Sequence, residues 1–195
     1  MPHKVELSDG SSLLVSPEYL PDGITDPSLW EGGRVFNPQE EEAFRFADAC
    51  YRAEKIALKL VARAEQNCLG LQVKLERRGF DAAVAQEVVS GFQTRKFVDD
   101  GRYAELWLRS RLSSGKSPRW LFISLGKKGI KRETSLKTLE KLLDPETEFA
   151  LLLMYIKKAG TKNTKISKSD SKNYFKSQLR HEGFSIEVLD RYFTD

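Results

Sequence analysis

The sequence predicts an all-α protein made of three tandem three-helix repeats, with a small N-terminal β-hairpin extension. Three observations carry that expectation. A phrase recurs as LERRGFD at 75–81, LGKKGIK at 125–131 and LRHEGFS at 179–185: a leucine, three mostly polar residues, a glycine and a hydrophobe. The glycines stand 50 and 54 residues apart, at the top of the range for helical repeats. Apolar residues also keep their places when the copies are aligned on the glycine. Leu71, Leu121 and Phe175 lie eight positions before it, and Leu75, Leu125 and Leu179 lie four before. Phe80, Ile130 and Phe184 lie one after, and Val89, Leu139 and Phe193 ten after. Spacings of four and eight put the upstream residues on one helix face.

The elements follow in order. KVELSDGSSLLV at 4–15 contains two short strand-like runs about Asp9 and Gly10, which reads as a hairpin. A lone hairpin is marginal, so it must pack on something; the Pro- and Gly-rich segment at 17–33, with Trp30, ties it to the helices. Asn37, Pro38 and then Glu40, Glu41 and Glu42 start a long helix that runs to about Glu65. Asn67, Ser117 and Ser171 each stand twelve before a repeat glycine and are helix-capping types, and Pro118 suits a first helical position. The glycine itself belongs just past a helix end, where positive φ is easy only without a Cβ. Asp99 and Asp100 directly precede a helix and read as cap and dipole partner rather than metal ligands. Asp144-Pro145 is a boundary, because proline disfavours helix in the residue before it. GTKNTKISKSDS at 160–171 reads as a polar loop whose lysines either touch nucleic acid or simply solubilise it. The chain thus divides into 1–36, 37–96, 97–144 and 145–195.

Charge is more informative in its distribution than in its net +4. Residues 1–66 carry 7 basic against 12 acidic side chains, whereas 67–195 carry 25 against 16. Basicity peaks in the middle repeat: Arg102, Arg109, Arg111, Lys116, Arg119, Lys127, Lys128, Lys131 and Arg132 face a single acid, Glu105. Such a stretch attracts a phosphate backbone or an acidic protein surface. Tyr103 and Trp107 are four apart and read as a packing face, with Arg102, Arg109 and Arg111 emerging between them. Trp120 and Phe122 flank the inward Leu121; they either stack on a base or partner, or pack against a neighbouring unit or the N-terminal extension. Gly126, inside the same helix, costs about 1 kcal/mol relative to alanine.

Other function classes lack their residues. No apolar run approaches the roughly 20 residues that span a bilayer, and MPHKVELSDG lacks the apolar segment of a signal peptide, so a cytoplasmic protein is expected. Cys50 and Cys68 read as reduced, partly buried thiols. His3 and His181 are the only histidines, and neither a nucleophile motif nor a glycine-rich phosphate loop is present. Neither catalysis, a metal nor a cofactor is expected.

The stretch FVDDGRYAELWLRSRLSSGKSPRWLFISLGKKGI at 97–130 resembles the central signature of the RecX family of RecA regulators. LERRGFDAAVAQEVV and LRHEGFSIEVLDRYF resemble the flanking repeats of that family, and the opening hairpin resembles an extension found in part of it. The resemblance implies an elongated, curved array that lies along the groove of a RecA filament on single-stranded DNA. It implies a monomeric, non-enzymatic regulator that restrains ATP hydrolysis, strand exchange and coprotease activity in recombination, DNA repair and the SOS response. Its partners are then the RecA filament, single-stranded DNA and, weakly, duplex DNA, with no membrane. Contact candidates are the nine basic residues of the middle repeat, Trp120, and Arg77 and Arg78 of the first. Trp120 and Phe122 depart from the family, where these positions are commonly basic or polar. A helix-turn-helix-like transcriptional regulator acting on duplex DNA is the alternative, permitted by the glycine turns and basic helices.

Overall fold

A computed structural model describes residues 2–7, 9–30, 34–162 and 172–194, and it divides at Val98 into two compact units, Met1–Val98 and Asp99–Asp195. In the first unit, strands β1 (His3–Glu6) and β2 (Ser12–Val15) pair antiparallel, His3 opposite Val15 and Glu6 opposite Ser12. Alternation buries Val5, Leu13 and Val15 on one face. Their support is helix α1 (Pro38–Arg63). The Leu14 amide donates to Asp48 Oδ1 at 2.9 Å, and Asp48, buried on α1, is also paired with Arg52. The Trp30 indole donates to the Ile24 carbonyl at 2.8 Å and meets Phe44 edge-on at 5.2 Å, which fastens the irregular segment to α1.

Helix α1 opens on a reciprocal cap: the Glu40 amide donates to Asn37 Oδ1 at 2.9 Å and the Asn37 amide to Glu40 Oε2 at 3.0 Å. Its small residues Ala47, Cys50, Ala53 and Ala57 are fully buried, letting helices α2 (Cys68–Glu76) and α3 (Ala82–Thr94) close over it with Leu71, Leu75, Val88 and Phe92. Burial pushes the Cys50 thiol up to about 12, so the reactive thiolate is scarce at neutral pH. Asn67 departs from expectation. It holds the N-cap position of α2, but its side chain makes no capping bond and instead folds over Gly70, where the missing Cβ leaves room.

The second unit contains α4 (Asp100–Leu112), α5 (Pro118–Lys127), α6 (Arg132–Leu142), α7 (Pro145–Lys162), α8 (Lys172–His181) and α9 (Ile186–Thr194). Leu108, Leu121, Leu125, Ile130, Leu151, Leu152, Leu179, Phe184 and Leu189 form one core here, so the middle and last repeats are packed together. Helix α7 runs on through residues 160–162, which the sequence assigned to a loop; the rest of that loop, including Ser171, lies outside the described residues.

Each repeat phrase is a helix-ending motif in which the residue after the glycine reaches back to the leucine carbonyl. Phe80, Ile130 and Phe184 amides donate to the Leu75, Leu125 and Leu179 carbonyls at 3.4, 3.2 and 3.3 Å. Gly79, Gly129 and Gly183 have φ of 89°, 83° and 90° and donate to the residue three before, each at 2.9 Å. The leucine and the trailing hydrophobe are thereby turned into the same core, which is why they recur together. Gly126 has no such duty: its φ is not positive and a Cβ there meets nothing within 4 Å. Gly126→Ala is therefore expected to stabilise the protein by about 0.5–1 kcal/mol, read as a higher urea midpoint at unchanged slope.

Candidate nucleic-acid interface

Helix α4 presents Trp107 and Arg111 one turn apart, and α5 with its C-cap Lys128 presents Trp120, Ser124, Lys127 and Lys128 at spacings of four, seven and eight, each set on one helix face. The two faces meet. The Trp107 and Trp120 rings stack with centres 6.1 Å apart and planes 20° from parallel. Lys128 lies 5.5 Å and Arg111 5.8 Å from the Trp107 ring centre, and Lys116 lies 4.9 Å from that of Trp120. These side chains, with Ser114, Ser124 and Lys127, line a recess of about 460 Å³ that contains four cations and no carboxylate.

The turn between the two helices is braced from behind. Gly115 has φ of 60° and so little room that a Cβ would lie 3.1 Å from the Met154 carbonyl oxygen of α7. Lys158, also on α7, donates to the carbonyl of Ser114, just past the end of α4. The start of α5 is clamped to the end of α8. Ser117 Oγ donates to Glu182 Oε2 at 2.5 Å and accepts the Trp120 amide at 3.2 Å, and the Arg119 amide donates to the Glu182 carbonyl at 2.9 Å. Trp120 is thus held by its own helix cap, which is in turn held by the last repeat.

The expected contact residues separate into groups. Arg111, Lys116, Trp120, Lys127 and Lys128 converge on the recess. Arg109 does not: its Nη2 donates to Glu105 Oε1 at 2.8 Å, while Lys141 of α6 donates to Glu105 Oε2 at 2.6 Å. Those bonds, Lys141 first, hold the Glu105 carboxyl below the usual carboxylate range, so the single acid of the stretch is engaged with α6 and Arg109. Arg119 is turned to the His181 ring, with Nη1 2.7 and 2.8 Å from its two nitrogens. Arg132 lies 5.8 Å from the Phe122 ring centre, and Phe122 packs on the core. Lys131 is exposed at the N-cap of α6, and Arg102 is exposed in the first turn of α4, its amide donating to Asp99 Oδ1 at 2.9 Å. Arg77 and Arg78 lie in the first unit, both exposed, with Arg78 donating to the Lys74 carbonyl at 2.6 Å.

Trp107 packs on the core as its spacing from Tyr103 predicts, and it has a second role that the sequence reading did not give it. The ring rests partly on the core and also lines the recess. The usable signal was a second spacing, Trp107 to Arg111 on α4, matched by Trp120 to Lys127 and Lys128 on α5. Among the described residues, no group of three or more His, Cys, Asp or Glu side chains is placed to hold a metal ion, and no helix is long and apolar enough to cross a membrane.

Comparison with known proteins points the same way. Residues 99–139, which contain the recess, match the family described as "RecX, second three-helix domain". Regulatory protein RecX of Treponema pallidum (strain Nichols) is 33% identical over 124 residues, covering 62% of this chain and 76% of that protein. Two crystal structures share the fold. RecX from Lactobacillus salivarius has a TM-score of 0.57 at 20% identity over 76% of this chain and 96% of that one. A structure of regulatory protein RecX has a TM-score of 0.69 at 14% identity over the full length of both. With a relative one-third identical over most of its own length, and the family signature on the helices that build the recess, this chain belongs to the RecX family of regulatory proteins.

Proposed function

We propose that this protein binds the RecA filament on single-stranded DNA and restrains its ATP hydrolysis, strand exchange and coprotease activity, acting as a monomer in the cytoplasm during recombination, repair and the SOS response. The observation that carries the reading is the recess itself. Four cations converge on two stacked tryptophans within the segment that matches the family, while the single acid of the stretch is neutralised by Lys141 and Arg109. Such a surface binds polyanions with a strong dependence on salt, because each phosphate neutralised releases counterions. The protein then acts by occupying the filament, and no group in the recess has to carry out a reaction.

The test is single-stranded-DNA-dependent ATP hydrolysis by the cognate RecA while this protein is titrated in at two salt concentrations. The expected result is a fall in rate at substoichiometric protein that weakens as salt rises. An unchanged rate at both salt concentrations, with salt-dependent binding to duplex DNA alone, would replace this reading with that of a duplex-binding regulator.

A further inference from the structure

We propose that the Trp107–Trp120 recess is a single-stranded DNA site, holding one unpaired base against the indole pair and the adjoining phosphates among Arg111, Lys116, Lys127 and Lys128, and that it binds without RecA. This names the ligand of the surface described above and rests on the filament reading only for where that DNA is met.

The charge alone would suit any polyanion; the indoles narrow the choice. Trp120 is 39% exposed, a large apolar ring left in water at the centre of the most basic stretch of the chain. Trp also anchors protein interfaces, but there it fills an apolar pocket, which a strongly acidic surface does not offer, whereas every base offers a flat face to stack on. The two rings are nearly parallel at 6.1 Å, so a base laid on the exposed side of Trp120 continues a stack that already exists. Lys116 lies over the Trp120 ring at 4.9 Å, held by the attraction of a cation to an aromatic face. Its long stem lets the ammonium swing to a phosphate when a base takes its place. Lys128 and Arg111 can make the same exchange beside Trp107. The recess, at about 460 Å³, falls within the roughly 300–1,000 Å³ of sites that enclose small ligands. A duplex keeps its base faces covered and can offer only phosphates, so the site separates single from double strands.

The test uses the full chain without RecA and follows tryptophan fluorescence as dT12, rU12, a blunt 12-base-pair duplex or polyglutamate is added. The expected result is saturable quenching by dT12 and at least tenfold weaker quenching by the duplex at equal phosphate. Trp120→Ala is expected to weaken dT12 binding about tenfold and Trp120→Phe to restore most of it, as an exposed stacking ring should. Far-UV circular dichroism checks that both variants fold. Equal quenching by duplex or polyglutamate, or unchanged dT12 affinity in Trp120→Ala, overturns the proposal; a preference for rU12 beyond tenfold overturns its assignment to DNA. Quenching by dT12 with no effect on RecA ATP hydrolysis removes the filament reading and leaves this site standing. Restrained ATP hydrolysis with no quenching does the reverse.

Discussion

Reversing three charges, Arg111→Glu, Lys127→Glu and Lys128→Glu together, is expected to abolish restraint of RecA ATP hydrolysis, with affinity for the filament falling about a hundredfold or more near 0.1 M salt. The wild-type recess holds four cations; the variant holds one cation and three carboxylates, so a steering field becomes a barrier. The plot of log affinity against log salt should also flatten, by about one unit for each phosphate no longer neutralised. The fold should survive. All three side chains lie near the C-terminal ends of α4 and α5, where a cation helps the helix dipole by about 0.3–1 kcal/mol, a modest loss when reversed. Arg109→Glu is the informative control. Arg109 already faces Glu105 on its own helix and lies outside the recess, so its reversal is expected to cost about threefold, from the long-range field alone. Should Arg109→Glu be as damaging as the triple change, contact would depend on the diffuse charge of the repeat and the recess would have no special part.

That control marks the limit of what the residues show before folding. Leu75, Leu125 and Leu179 are legible because a leucine at the end of a helix, a glycine at positive φ and a following hydrophobe form one local motif, fixed by bonds within five residues. The hairpin, the Asn37 cap and the helix starts at Asp99 and Ser117 are local in the same sense. The nine basic residues were visible as a charge excess, but their sorting was not. Arg109 lies outside the recess, bonded to Glu105, which also receives Lys141 from thirty-six residues further on. Arg119 lies outside the recess too, turned to His181 sixty-two residues away. Trp107 joins it because α5 meets α4 there, across a turn at Gly115 that lies against Met154 and Lys158 of α7. Periodicity records which face of a helix is apolar; it says nothing of which helix arrives there. Even Asn67, a favourable cap type in the right place, makes no capping bond, and its side chain occupies the space that a Cβ on Gly70 would fill.

Gly183→Ala and Gly79→Ala should differ sharply in stability, although the two glycines stand at the same repeat position with φ of 90° and 89°. Both substitutions force an L-residue into the left-handed region, which costs about 1–2 kcal/mol. At Gly79 that is the whole cost, since a Cβ meets nothing within 4 Å. At Gly183 the Cβ would lie 3.1 Å from the backbone nitrogen of Arg119 and 3.4 Å from Pro118 Cβ. Arg119 cannot retreat freely, because that same amide donates to the Glu182 carbonyl at 2.9 Å and the Ser117–Glu182 bond lies beside it. Relieving the clash stretches those bonds, adding about 1–2 kcal/mol and bringing the expected loss to about 3 kcal/mol. Urea unfolding followed by far-UV circular dichroism would show the difference, and equal losses at the two positions would mean that the last repeat is not docked on the start of α5. The same clamp sets Trp120 against Trp107, so Gly183→Ala should also weaken the near-ultraviolet circular dichroism of the tryptophan pair and reduce dT12 quenching, while Gly79→Ala leaves both intact. A glycine of the last repeat thereby bears on a surface of the middle one, and packing those two repeats into one core becomes a condition for the recess to exist.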